Sequence, residues 1–101
     1  MYYINIHTHP YFLPTKVDDG HLHYMRAYTM PAPGEIDNHI HLYSGETSFN
    51  QGHVHYYRGA TGSAVPLPGG RNHYHLLQGE TTYDQGHKHF YRGNTGGSIR
   101  V

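Results

Sequence analysis

The sequence predicts an all-β fold of three tandem β-hairpin repeats of about 32–34 residues, packed as one small domain over residues 1–101. Three observations carry this. All twelve histidines fall into six His-x-His pairs, the period-two pattern that puts neighbouring imidazoles on one face of a strand. The pairs recur in a fixed rhythm, the second of each unit fourteen residues after the first, and the units after 32 and then 34 residues. An Asx-x-Gly turn signal sits inside every unit, while no stretch shows the apolar period of a helix.

The first unit spans about residues 5–29. It holds the pairs His7/His9 and His21/His23, with Asp18-Asp19-Gly20 as its turn. It is the degenerate copy: it keeps Thr15, Gly20, Arg26 and Thr29, but has Leu13-Pro14 where the others have Gly-Glu. An atypical terminal repeat reads as a capping unit. The second unit, about 38–62, holds His39/His41 and His53/His55 around Asn50-Gln51-Gly52. The third, about 72–96, holds His73/His75 and His87/His89 around Asp84-Gln85-Gly86. The Pro-rich segments Met30–Glu35 and Ala64–Gly70 read as extended connections. Segments 1–6 and 98–101 read as short strands that pair within the domain or add to a neighbour's sheet edge.

Alternation places the histidines on one strand face. Ile40, Leu42, Val54, Tyr56, Tyr74, Leu76, Leu22 and Tyr24 fall on the other, and Lys88 breaks that rule. Two hairpin registers fit. A turn at Asx-x-Gly pairs the Glu-Thr segment with the second His-x-His and staggers the two pairs. A looser hairpin centred on Thr47 and Thr81 sets His41 opposite His53 and His75 opposite His87. The tight turn is favoured because its signal is local and recurs three times. It obliges a complete metal site to borrow ligands from another unit or chain.

Composition narrows the function. Seven basic and seven acidic side chains balance, so nothing suggests nucleic acid. No apolar run reaches membrane-span length, and the first residues lack a signal-peptide pattern. The expectation is a cytoplasmic protein, or one exported by an unconventional route. Cysteine is absent, which leaves histidine-bound metal or self-assembly as the available reinforcement for a thin core.

Imidazole is the commonest protein ligand for transition metals. The candidate metal ligands are all twelve: His7, His9, His21, His23, His39, His41, His53, His55, His73, His75, His87 and His89. All-histidine sites suit Zn²⁺, Cu²⁺, Ni²⁺ or six-coordinate Fe²⁺. Glu46 and Glu80 are possible carboxylate ligands, but read better as partners of Arg58 and Arg92. Gly45, Gly59, Gly79 and Gly93 read as bulges or close-approach points, not as a phosphate loop. No serine nucleophile has a recognisable context.

From His39 to Gly96 the repeats resemble the YmaF-like family of small His-rich bacterial proteins. Its unit runs roughly His-x-His-x-x-Ser-Gly-x-Thr-Ser-x-x-x-Gly-His-x-His-x-Tyr-x-Gly-x-Thr-Gly. The likeness includes the linker Val65-Pro66-Leu67-Pro68-Gly69-Gly70. It implies a histidine-rich, metal-associated β protein and transfers no enzymatic activity. The Gly-His-x-His pattern is also similar to needle regions of phage tail fibres, where three intertwined chains offer His-x-His pairs to an axial iron. The expected function is non-catalytic transition-metal binding with a structural or sequestering role. The alternative is a self-assembling, homo-oligomeric or filament subunit of an extracellular or surface fibre, with His-x-His and tyrosine ladders, open to metal bridging, at its contacts.

Overall fold

A computed structural model describes residues 6–18, 20–34, 38–50, 52–69, 72–84 and 86–101. Segment 1–5 of the expected N-terminal strand lies outside them, as does the middle residue of each turn triplet. The described chain is all β. Three antiparallel hairpins form the body: β2 (Pro10–Pro14) with β3 (Tyr24–Tyr28), β5 (Leu42–Glu46) with β6 (Tyr56–Ala60), and β9 (Leu76–Glu80) with β10 (Phe90–Asn94).

The tight register holds in all three. Glu46 stands opposite Tyr56, Thr47 N–H donates to His55 O at 2.8 Å, and the ladder ends in the bridges Asp18↔His21, Asn50↔His53 and Asp84↔His87. Gly20, Gly52 and Gly86 turn the chain with φ of 77°, 80° and 81°, a region that side chains disfavour.

The hairpins close into a three-sided prism. Met30 N–H to Leu42 O and Ser48 N–H to Tyr24 O, both 2.8 Å, join the first to the second. Gly62 to Leu76 (3.0 Å) and Thr82 to Tyr56 (2.8 Å) join the second to the third. Gly96 to Pro10 (2.8 Å) and Lys16 to Phe90 (2.7 Å) bring the third back to the first. The first unit is therefore not a cap. It is a full side of the prism, in contact with both others, because repeats arranged around an axis have no terminal member.

The short strands gather at the linker end. β1 (Ile6–Thr8) lies between β4 (Ala32–Pro33) and β11 (Ile99–Arg100), and β7 (Val65–Pro66) pairs with β8 (His73–Tyr74). The C-terminal strand thus pairs inside the domain. The linkers also supply strands, since β4 and β7 both lie within them.

Alternation is present, and the face that turns inward is the histidine face. The interior consists of Tyr11, Leu13, Met25, Tyr43, Tyr57, Leu77 and Tyr91 between two layers of buried histidine and threonine. Ile40, Leu42, Tyr24 and Tyr56 point outward and are exposed, with Arg26, Arg58 and Arg92 also exposed on the outer faces. A small interior on a narrow axis explains the packing. In the second hairpin Tyr43 lies over Gly59 and Tyr57 over Gly45; in the third, Tyr91 lies over Gly79. These glycines are close-approach points within regular ladders. In the first hairpin Leu13 faces Met25, and Leu13 also packs against Gly93. The Leu-Pro departure thus changes the core filling and not the fold. The Tyr11–Tyr57 and Tyr43–Tyr91 hydroxyl pairs, at 2.8 and 2.9 Å, give the buried phenols their partners.

Two glycine substitutions separate these roles. Gly52→Ala meets open space, so only its positive φ is penalised, by about 1 kcal/mol. Gly59→Ala sets a methyl 2.7 Å from the Tyr43 hydroxyl and overpacks the core, a loss of roughly 1–3 kcal/mol. Denaturant midpoints of the two variants should fall in that order.

Candidate metal centres

Strand alternation aims both imidazoles of each pair at the prism axis. Threefold packing then brings like pairs together. His7, His9, His39, His41, His73 and His75 converge at the linker end, every donor nitrogen within 4.8 Å of every other. At the turn end His21, His23, His53, His55 and His87 converge in the same way, and the His89 imidazole packs against His21, His23, His55 and His87 at 4.9–5.1 Å between centroids. All twelve predicted ligands are therefore placed in two groups, each drawing one pair from every unit. No unit completes a site alone, as the tight turn requires.

The arrangement is octahedral. In both groups neighbouring imidazoles lie 4.6–5.2 Å apart and cross at 63–89°. At the linker end this leaves His7 opposite His75, His9 opposite His39 and His41 opposite His73. The Nε2 atoms of His7 and His73, His9 and His73, and His41 and His7 are 3.1 Å apart, and those of His39 and His7 3.2 Å. At the turn end the corresponding spacings among His53, His55 and His87 are 3.1–3.2 Å. An octahedron with that edge places its centre about 2.2 Å from each nitrogen, near the 2.0–2.1 Å of ordinary metal–imidazole bonds.

The backbone fixes the protonation pattern. The second histidine of every pair donates Nδ1–H to a carbonyl of the adjacent hairpin. His9 uses Gly96 O, His41 Met30 O, His55 Thr82 O, His75 Gly62 O and His89 Lys16 O, all at 2.9 Å, and His23 uses Ser48 O at 2.8 Å. A carbonyl only accepts, so Nδ1 carries the hydrogen and Nε2 keeps its lone pair, facing the axis. Buried Nε2 atoms of His23, His75 and His89 have no hydrogen-bond partner in the protein. Leaving such an atom unsatisfied costs about 1–3 kcal/mol. These orphaned lone pairs fit a cation, and each group can hold a metal ion.

Six threonines complete the site, and sequence reasoning passed over their part in it. Thr29, Thr15, Thr61, Thr47, Thr95 and Thr81 accept the backbone N–H of His9, His23, His41, His55, His75 and His89, each at 3.0 Å. The carbonyl that receives each imidazole belongs to the residue after one of these threonines. The signal was available: His-x-His-x5-Thr occurs six times, from His7 to Thr15 through His87 to Thr95. Glu46 and Glu80 face outward and belong to neither group; Glu80 pairs instead with Lys88 at 3.1 Å.

Fold and site together define an all-β, histidine-rich protein in which three hairpins of one chain enclose two histidine groups, each of which could hold a metal ion. The YmaF family model, described as spore germination protein GerY/YamF, matches residues 6–96, and the chain belongs to that family. No curated protein and no solved structure matches the chain. Among the described residues no helix is long and apolar enough to cross a membrane.

Burial pushes the inner imidazoles down, His9 to about 3 and His23 and His41 to about 4, with His55, His75 and His89 also lowered. Their neighbours' partial charges push the same way, and the carbonyl hydrogen bonds push back only in part. They are neutral at pH 7. An unfolded chain takes up these protons near pH 6.5, whereas in the folded chain His9 does so only near 3 and His23 and His41 only near 4. Stability is therefore whole above pH 6.5 and falls as pH drops through that window, on the order of 1.4 kcal/mol per pH unit for each such histidine. Denaturant unfolding of metal-free protein between pH 7.5 and 4 should show the midpoint falling steeply below 6.5.

Proposed function

We propose that the protein binds two transition-metal ions, one in each hexahistidine group, and that they serve as structural staples or as a sequestered store. The supporting observation is the convergence of one histidine pair from every hairpin at each end, with the tautomers of the three inner imidazoles set by backbone carbonyls. Six protein ligands leave no coordination position for a substrate, which argues against catalysis. The octahedral set favours ions that accept six nitrogens, Fe²⁺ or Ni²⁺, over four-coordinate Zn²⁺ and tetragonal Cu²⁺. Ligands from all three hairpins make binding energy into folding energy. Elemental analysis of native protein and calorimetry with Ni²⁺ at pH 7.5 should give about two ions per chain, with much weaker uptake at pH 5.5 as protons compete. No uptake at pH 7.5 would sink the reading.

A second reading, self-assembly into an oligomer or filament, is favoured by the outer faces. Phe12, Leu42, Phe49, Tyr56, Tyr83 and Phe90 are all more than half exposed. Such apolar surface is typical of contact sites. Electron microscopy with and without chelator separates the readings. Filaments indifferent to chelator favour assembly through these faces, and dispersed protein that loses structure in chelator favours the staple.

A further inference from the structure

Resting on the metal reading, the structure assigns different lability to the two centres: the linker-end ion is locked in place, and the turn-end centre exchanges a free divalent transition-metal ion with solvent. The two donor sets are alike, but their covers are not.

At the linker end, each outer histidine is roofed by chain from elsewhere. His7 sits on the central strand β1, paired with Ala32 on one side and Arg100 on the other. His73 pairs with Pro66 of β7. Gly34 lies so close to His39 that a Cβ there would stand 2.8 Å from its Nδ1. Five of the six ligands are buried, and His39 is half-buried.

At the turn end, no strand among the described residues pairs over the outer histidines, which are bridged only to their own turns. His21 and His53 are both half-buried. Each outer histidine is tied to its own turn: His21 N–H to Asp18 O and His53 N–H to Asn50 O at 3.2 Å, and His87 N–H to Asp84 O at 3.1 Å. The turn glycines Gly20, Gly52 and Gly86 face open space. The turns also carry carboxylates. Asp84 Oδ2 is 3.6 Å from His55 Nδ1, and Asp18 is bridged through its backbone to His21. An ion can leave this end if one turn opens, the low-energy kind of local opening. At the other end it must wait for β1–β4–β11 or β7–β8 to separate. The two acidic turns draw cations toward the open end.

The test uses full-length protein loaded with Ni²⁺ and mixed at pH 7.5 with a large excess of a colorimetric chelator. The expected release is biphasic, with equal amplitudes and the fast phase at least tenfold faster. His53→Ala should remove the fast phase and one ion, and His39→Ala the slow one. Asp18→Asn with Asp84→Asn should keep two ions per chain and slow reloading of the fast site severalfold, an effect that salt should mimic. Hydrogen exchange on wild-type loaded protein gives a readout independent of variant folding: the His21, His53 and His87 amides should exchange well before that of His41. Two ions leaving in one phase, fast release that survives His53→Ala, or equal exchange at both ends overturns the inference and leaves the metal reading standing. Protein that takes up no Ni²⁺ overturns both.

Discussion

The hydrogen bond from an inner histidine's Nδ1 to a carbonyl of the next hairpin is the interaction on which the rest depends. It occurs six times, at 2.8–2.9 Å, and each time does three things. It joins two sides of the prism. It selects the tautomer. It aims the remaining lone pair at the axis. The threonine before each accepting carbonyl takes the backbone N–H of another inner histidine, so the polar groups at both ends form connected networks. A buried network of this kind specifies one arrangement only when its members are satisfied. Here the buried Nε2 atoms of His23, His75 and His89 are left without a hydrogen-bond partner in the protein, and they face the axis.

This construction also explains a composition that looks poor in core formers. Seven residues supply the apolar interior, all near the middle of the prism. Six strands meeting around a narrow axis leave room for a tyrosine only where glycine or alanine stands opposite. The large and small residues therefore alternate across each ladder: Tyr11 against Ala27, Tyr43 against Gly59, Tyr91 against Gly79. With the inside given to histidine, threonine and tyrosine, the aliphatic and remaining aromatic side chains are left on the outside.

Much of this was legible in the residues. Period-two histidines, a fixed repeat and recurring Asx-x-Gly turns are local signals, and they specified strands and register. They also implied that no hairpin finishes a site by itself. The inward face was not legible as such. Alternation separates two faces without saying which is buried, and apolar residues such as Ile40 and Leu42 are normally the inner ones. The ring closure was equally hidden, because a degenerate end repeat fits a stacked array as readily as a closed one. The Gly96–Pro10 and Lys16–Phe90 hydrogen bonds distinguish them. The threonine clamps were written in the spacing, but a buried threonine draws attention only when its acceptor role is seen.

The closure between Pro10 and Gly96 bears on how the chain comes to be folded. Within the linker-end group, ligands that touch are as far as 66 residues apart, as His7 and His73 are. Contacts of that span cannot form until the third unit has been made, and topologies built from them fold slowly. The turn-end set is complete only when His89 has emerged, and the linker end acquires its last ligand at His75. During synthesis the linker-end ligands are thus the first set to be made, although Gly96, which fixes the His9 imidazole, follows His75. Nascent chains expose unpaired imidazoles and apolar strands together, so the rate of ring closure sets how long they stay exposed to aggregation.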